Sequence, residues 1–82
     1  MAATRGEISD WFDRGIAKKA THMIVVHDTF DHDDYPVFVS AEENVYEKKD
    51  IYERASMQRV MEVYKLSVDK QTQLSQPRSF NY

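Results

Sequence analysis

The amino-acid sequence predicts an α+β fold, a small two-layer domain with its elements in the order helix, strand, strand, helix. Residues 23–26 (MIVV) and 35–40 (YPVFVS) form two short apolar runs with the composition of strands, and helical patterns lie before and after them. Consecutive strands kept apart from helices indicate α+β rather than α/β architecture. The first run lies within a segment at residues 21–30, and only residues 31–34 separate this segment from the second strand. Four residues are too few for a parallel crossover, so we expect a short antiparallel hairpin covered by helices.

Length and composition favour one domain over residues 1–82, with a core at about 5–76 and a tail at 77–82. A chain of 82 residues has no room for two hydrophobic cores. The absence of cysteine excludes a disulfide framework and a thiol nucleophile, and it favours the cytoplasm over a secreted setting. No apolar run reaches the length of a membrane span, and a formal net charge of −3 argues against direct binding of nucleic acid.

The first helix is predicted over residues 5–20. Thr4 and Glu7 have the spacing of a capping box, in which each side chain bonds a backbone N–H of the other residue. Apolar residues then recur along one helical face, at Ile8, Trp11, Phe12 and Ile16. Gly15 weakens the helix by about 1 kcal/mol relative to alanine, so it either admits a close neighbour or is simply tolerated.

The two predicted strands need cover from elsewhere in the chain. Continuous apolarity in the run 23–26 suggests that both faces of the first strand are covered, at least in part. Pro36 has no N–H to donate, which places it at the start of the second strand or at a sheet edge. An isolated two-stranded sheet is marginally stable, so either helices cover it or a second chain extends it.

The second half of the chain has a helical pattern. We expect a helical or partly irregular stretch over residues 42–49 and a firmer helix over 51–66. In the latter, apolar residues mark one helical face at Met57, Val60, Met61 and Tyr64. A last short helix is expected to reach about residue 76, where Pro77 ends it.

The acidic turn holds the residues that most resemble a metal site: Asp28, Asp31, His32 and Asp34. Imidazole and carboxylate groups are ligands of zinc, manganese and iron. The spacing does not match a calcium-binding loop, which needs a glycine at its bend and a distal glutamate. Asp is also common in turns because its carboxylate bonds nearby backbone amides. A solvated turn and a metal site therefore both stay open, and we predict no resident cofactor.

Catalytic motifs are missing from the sequence. It contains no nucleophile elbow, no phosphate-binding glycine loop and no HExxH motif, so we predict no catalytic residues and do not expect an enzyme. Asp28 follows an apolar strand, where catalytic carboxylates often lie. Strand alternation nevertheless turns His27 to the opposite face, which makes a His27–Asp28 pair geometrically poor.

Aromatic and acidic residues indicate a protein-binding surface. Ten aromatic residues in 82 are more than a core of this size absorbs, and tyrosine is enriched at protein interfaces. The predicted contact residues are Asp31, Asp33, Asp34, Tyr35, Tyr46, Tyr52, Phe80 and Tyr82. The alternative is that the tyrosines lie at the edge of the core with their hydroxyl groups in water.

Two segments carry a resemblance to other proteins: residues 20–39 (ATHMIVVHDTFDHDDYPVFV) and 57–67 (MQRVMEVYKLS). They resemble short uncharacterised proteins encoded by phages and other mobile elements, over residues 11–74 as a whole. The resemblance implies no known activity and supplies no catalytic residue. It implies a genomic setting in which small single-domain proteins bind and block a host protein, as the inhibitors of bacterial immune systems called anti-CRISPR proteins do.

Three functions follow as hypotheses. The first is a small protein-binding module that inhibits a host or defence complex by steric or electrostatic blocking. Its partner is a host or defence-system protein, with no direct contact to nucleic acid or membrane. The second is a metal-binding protein or small metal-dependent enzyme that uses the His and Asp cluster at residues 27–34. The third is a structural or regulatory homo-oligomer, such as a homodimer, that completes its sheet with a second copy.

Overall fold

Three antiparallel strands form the centre of the protein. The computed structural model describes residues 3–76 and 78–82, and its strands are β1 (His22–Asp28), β2 (Asp33–Val39) and β3 (Gln58–Lys65). The helices of this part of the chain are α1 (Arg5–Ala17), α2 (Val45–Arg54) and α3 (Lys70–Leu74). The strand order is β2-β1-β3, with both pairings antiparallel. The predicted α+β class and the antiparallel β1–β2 hairpin are confirmed.

Helices cover both faces of the sheet, so the protein has three layers instead of the two that the sequence predicted. One core cluster joins Ile8 and Phe12 of α1 to Met23 of β1. A second cluster, on the other face, joins Val45 of α2 to Ile24 of β1. The four residues 23–26 are each at most 1% exposed, which confirms that both faces of β1 are covered.

Helix α1 begins at its predicted cap. The Glu7 N–H donates to the Thr4 hydroxyl at 3.1 Å and the Thr4 N–H donates to the Glu7 carboxylate, so the capping box is confirmed. The helix ends at Ala17, before the expected residue 20. Lys19 then has a φ of 60°, a left-handed conformation that turns the chain into β1.

Gly15 is a point of close approach between α1 and its neighbours. A Cβ atom on Gly15 would lie 2.7 Å from Leu66 Cδ1 and 3.1 Å from the Phe38 ring. Close packing therefore explains the glycine, since any larger side chain would overpack this contact. The predicted apolar stripe of α1 is buried at Phe12, which is 2% exposed, but not at Ile16, which is 51% exposed.

The third strand corrects the prediction of one helix over residues 51–66. Helix α2 ends at Arg54, and the chain from Gln58 onward pairs with β1 instead. The strand gives β1 a neighbour on its second side, which completes a sheet that would be marginal with two strands. Helix α2 itself starts at a cap that the sequence analysis did not identify: the Asn44 side chain accepts from the N–H groups of Tyr46 and Glu47.

A β-bulge explains why this strand has a helix-like pattern. Val25 pairs with Glu62 and Val26 pairs with Val60, so the register shifts by one residue at Met61. The extra residue places Val60 and Val63 in the same core cluster, although they are three positions apart. Strict alternation is thereby lost, and a spacing of three imitates one face of a helix.

Helix α3 and the tail are joined by one buried side chain. Gln73 is 1% exposed; its Oε1 accepts from the Lys65 N–H at 2.8 Å and from Asn81 Nδ2 at 3.1 Å. Its Nε2 donates to the carbonyl oxygens of Lys65 and Val68 at 2.9 and 3.1 Å. All of the polar groups of this side chain are thus satisfied inside the protein, and they fix α3 against β3.

The tail closes one edge of the sheet. The Val63 N–H donates to the Ser79 carbonyl at 2.7 Å, and the Asn81 N–H donates to the Val63 carbonyl at 2.9 Å, forming a parallel bridge at Phe80. The predicted end of α3 at Pro77 lies outside the described residues. Strand β2 forms the other edge, and Pro36 lies in it as predicted. Among the described helices, none has both the length and the apolar character that crossing a membrane requires.

Candidate functional site

Large apolar side chains in water are the first indication of a site. Within residues 3–76 and 78–82, those exposed are Ile16, Phe30, Tyr46, Ile51, Met57, Val68 and Phe80. Phe30 is the most exposed, at 71%, and lies in the turn between β1 and β2. Met57, which is 56% exposed, lies in the turn that leads into β3. We call the turn 29–32 together with Met57 the hairpin tip.

The carboxylate of Asp28 holds the turn that carries Phe30. Its Oδ1 accepts the N–H of Phe30 at 2.8 Å and the N–H of Asp31 at 3.2 Å. The Phe30 N–H, followed by the Asp31 N–H, lowers the pKa of Asp28 below its ordinary value, because both donors favour the charged carboxylate. Asp28 therefore forms an Asx turn with its side chain, which is the structural alternative to a role in a metal or catalytic site.

Contacts between the two turns of the tip add to its rigidity. The Thr29 N–H donates to the Met57 carbonyl at 2.8 Å. Gln58 donates to the second oxygen of Asp28 at 3.4 Å and accepts from the Tyr35 hydroxyl at 2.5 Å. The backbone of the tip is therefore linked across three strands.

Two residues of the tip have left-handed backbone conformations. The φ angles of His32 and Met57 are 58° and 63°. Residues other than glycine rarely adopt this region, and each such residue costs about 1 kcal/mol or more. A third such residue, Lys19, lies at the opposite end of the sheet, before β1. Sparsely populated backbone conformations of this kind are enriched at binding sites.

The structure does not bring the four predicted metal-ligating residues together. Asp28 faces the α2 side of the sheet, whereas Asp34 pairs with His27 and faces the α1 side. Asp31 and His32 lie in the exposed turn. No group of three or more His, Asp or Glu side chains converges on one point in the described part of the chain. The alternation of strands separates residues that are close in sequence.

Asp34 instead contacts His27 and attaches the start of the described chain to β2. Its Oδ1 lies 2.6 Å from His27 Nδ1, and its Oδ2 accepts the Ala3 N–H at 2.9 Å. The Asp34 side chain is only 11% exposed. Of the predicted contact residues at this end, Asp31 and Asp33 are exposed, and Asp34 is largely engaged.

The predicted aromatic contacts divide into packed and exposed residues. Tyr35 and Tyr52 meet edge to face, with ring centroids 6.4 Å apart, and both pack against the core. Tyr82 also packs there, and Tyr46 stacks on it at 4.7 Å. Tyr46 is 57% exposed, and Phe80 is 45% exposed. The alternative of tyrosines at the core edge therefore describes Tyr35, Tyr52 and Tyr82.

A buried acid lies on the α1 face, at a position that the sequence analysis did not single out. Glu62 is 7% exposed, and both of its carboxylate oxygens accept from Arg5 Nη1, at 2.9 and 3.0 Å. The Tyr64 hydroxyl donates to Glu62 and accepts from Arg5 at 2.8 Å. A cavity of about 210 Å³ lies beside this group, with Asp34 and Arg78 also on its wall.

Burial favours the protonated form of this acid. Desolvation raises the pKa of Glu62 above its ordinary value, and the positive charges of Arg5 and Arg78 oppose the rise. A buried carboxyl group with a raised pKa is a general feature of functional sites, but paired structural groups share it. Here the three partners satisfy one another, so the cluster attaches α1 to β3.

Phe30 and Met57 were missed at the sequence level for different reasons. Phe30 ended the segment at residues 21–30 that held the first predicted strand, because the predicted turn began only at residue 31. Its signal is an aromatic residue placed inside a polar turn, between Thr29 and Asp31. Met57 was assigned to the stripe of a predicted helix, but it lies in the turn just before β3.

Comparison with known proteins identifies no relative of this chain. No protein-family model matches the chain, and no curated protein or solved structure matches it either.

Proposed function

We propose that this chain is a small protein-binding module that acts in the cytoplasm and blocks a host or defence complex. The hairpin tip is the proposed contact: Phe30 enters an apolar pocket of the partner, and the neighbouring carboxylates meet a basic rim. The exposure of Phe30 on a fixed turn is the observation that carries the proposal. The resemblance of the sequence to proteins of mobile elements makes a host protein the first class of partner to test.

The physical argument begins with the free energy of burying Phe30. Full burial of a phenylalanine side chain contributes about 1.5–3 kcal/mol, and 71% of this residue is exposed in the free protein. Aromatic residues that enter a partner's pocket are typical binding hot spots. The hydrogen bonds of Asp28 already order the turn, so little conformational entropy is lost on binding.

Charge around Phe30 supports a basic partner. Asp31 and Asp33 are exposed on either side of His32, and the chain as a whole carries a net charge of −3. Rim carboxylates accelerate association with a positively charged surface, and salt weakens that attraction. Binding through the tip is therefore expected to be salt-dependent.

The open edge of β2 favours a different partner over a second copy. Pro36 lies in the middle of this edge strand and Asp33 and Asp34 begin it. Proline and charged residues on an edge are common protections against strand addition. Association of two copies of the chain along β2 is therefore the weaker hypothesis.

The test compares two aromatic substitutions in an affinity capture. Tagged protein is used to capture binding proteins from bacterial lysate, which are identified by mass spectrometry. Phe30→Ala is expected to abolish capture of the partner, whereas Tyr46→Ala, a matched change on the exposed surface of α2, retains it. Phe30 is 71% exposed, so Phe30→Ala is expected to lower the free energy of unfolding by only about 0.5 kcal/mol or less. Tyr46→Ala also loses the stacking on Tyr82 and is expected to cost about 1 kcal/mol.

Each result has a distinct meaning. Capture that survives Phe30→Ala and fails with Tyr46→Ala would move the contact to α2 and refute the tip as the binding surface. Capture by the wild type that does not weaken with salt, or with Asp31→Asn and Asp33→Asn together, would refute the basic rim. A wild-type protein that captures no partner from any bacterial lysate would count against the binding-module function itself.

A further inference from the structure

The three methionines in the described part of the chain differ in their access to water. Met23 is fully buried in β1, and Met61 is half-buried against the core cluster on the α1 face. Met57 is 56% exposed and lies in the hairpin tip. Of these three thioether groups, the one on Met57 is therefore the first that a water-soluble oxidant meets.

The backbone of Met57 is held by a hydrogen bond in which its side chain takes no part. The Met57 carbonyl accepts the Thr29 N–H at 2.8 Å. Phe30 follows Thr29 directly, so this bond keeps the two exposed apolar residues of the tip on turns that are joined to each other. A change at the sulfur atom of Met57 thus alters the surface of the tip and leaves this backbone link in place.

Peroxides convert a thioether to a sulfoxide. The sulfur attacks one peroxide oxygen, an S–O bond forms as the O–O bond breaks, and the leaving hydroxide takes the proton of the transferred oxygen and departs as water. The sulfur is oxidised and the peroxide is reduced. Because the chain has no cysteine, no thiol of its own competes for the oxidant. Methionine sulfoxide reductases reverse the reaction, so the modification is not permanent.

We propose that Met57 is a reversible oxidation site, and that its sulfoxide switches off binding by the hairpin tip. The switch rests on the proposed function of the tip, whereas the oxidation site does not. Oxidation turns a flexible apolar side chain in the same tip as Phe30 into a polar one. An apolar pocket of a partner would have to desolvate the sulfoxide oxygen without pairing it, which disfavours binding.

The first measurement concerns the protein alone. Hydrogen peroxide is added at millimolar concentration, and trypsin digestion with mass spectrometry gives the oxidation rate at each methionine. Cleavage after Lys and Arg places Met57 on residues 55–59 and Met61 on residues 60–65, so the two are resolved. We expect Met57 to react at least about threefold faster than Met61 and faster still than Met23, and the three rates to converge in concentrated urea.

Two variants test the switch. Met57→Gln has a polar side chain in place of the sulfoxide, and it is expected to weaken capture of the partner about tenfold without any oxidant. Met57→Leu keeps an apolar side chain of similar size, so it is expected to capture the partner both before and after peroxide treatment. Wild type treated with peroxide is expected to behave like Met57→Gln, to keep its midpoint of urea unfolding, and to regain capture after incubation with methionine sulfoxide reductases.

The outcomes separate the oxidation site, the switch and the tip. Equal oxidation rates at Met57 and Met61 in the folded protein overturn the oxidation site. Full capture by Met57→Gln and by oxidised wild type overturns the switch, and so does loss of capture by peroxide-treated Met57→Leu, which would place the effect at another residue. Capture that survives Phe30→Ala refutes the function of the tip, and the switch falls with it, whereas the measured rates still decide the oxidation site.

Discussion

The two ends of the sheet are held by different kinds of interaction. At the hairpin tip, the surface carboxylate of Asp28 orders the turn, and Phe30 is left in water. At the opposite end, the buried amide of Gln73 joins α3, β3 and the tail, and Gly15 allows α1 to pack closely. We therefore expect the tip to accept substitutions at little cost in stability, and the opposite end to be more sensitive to them.

Among the variants that test the two ends of the sheet, Gln73→Ala is expected to cause the largest loss of stability. The substitution removes every side-chain hydrogen bond of Gln73 and leaves the Lys65 N–H without its acceptor in a buried position. We expect a loss of about 3 kcal/mol in the free energy of unfolding, measured by urea denaturation. Gln71→Ala, at an exposed position of the same helix, is the control and is expected to cost about 0.5 kcal/mol or less. Similar losses in both variants would contradict the structural role of Gln73.

A smaller loss is expected from Arg5→Met, between the two ends of the sheet. The change leaves Glu62 buried without its positive partner, and because the Arg5 side chain is 45% exposed we expect a loss of about 2 kcal/mol. The double variant Arg5→Met/Glu62→Leu is expected to recover most of it. Arg14→Met, on the exposed side of the same helix, provides the control in the same denaturation assay. No recovery in the double variant would show that Arg5 acts through packing alone.

The pH dependence of stability tests the state of Glu62. Burial raises its pKa in the folded state above the ordinary value of 4.5, so folding favours the protonated form. The stability due to this proton is fully present below pH 4.5 and is lost as the pH rises through the folded-state pKa. Glu62→Gln is expected to remove that loss, which urea denaturation across the pH range measures. Parallel pH profiles for the wild type and Glu62→Gln would disprove the raised pKa.

At the tip, Asp28→Ala is expected to act locally. Without the carboxylate, the amides of Phe30 and Asp31 lose their acceptor and should exchange with solvent faster, whereas the amide of Val25 keeps its protection. The lowered pKa of Asp28 predicts the same local loosening in the wild type as the pH falls below 3.8 and through the folded-state value. Hydrogen exchange measures both effects, and Asp31→Ala is the control. Faster exchange throughout β1 would show that the tip carries global stability after all.

The smallest effect is expected from zinc. The side chains of Asp28, Asp31, His32 and Asp34 do not converge, so zinc is expected to leave the melting temperature unchanged. A rise in melting temperature that disappears in His32→Ala would restore the metal site proposed for the acidic turn.

The sequence predicted those elements whose signals are local. The capping box at Thr4 and Glu7, the apolar strand at 23–26 and the edge position of Pro36 depend on neighbouring residues, and all three are confirmed. Strand β3 was not predicted, because its partners in β1 lie thirty or more positions away in sequence and the bulge at Met61 breaks its alternation.

In the candidate site, too, only the features with local signals were predicted from the sequence. Short-range chemistry correctly indicated that Asp28 could bond the turn and that His27 faces away from it. The exposure of Phe30 was not predictable, because it depends on where the β1–β2 hairpin ends relative to the turn before β3. The Glu62 cluster joins residues that are 57 positions apart, and no local pattern encodes it.

The bulge at Met61 also protects the chain against misfolding. A regular strand of alternating residues can slip along its neighbour, and a slip by one residue turns its whole apolar set to the wrong face. In β3 the extra residue lies where Val25 and Val26 shift register, and a slip by one residue would turn the Glu62 carboxylate toward the apolar cluster on the other face. The irregularity that hides this strand from sequence analysis thus disfavours a one-residue slip.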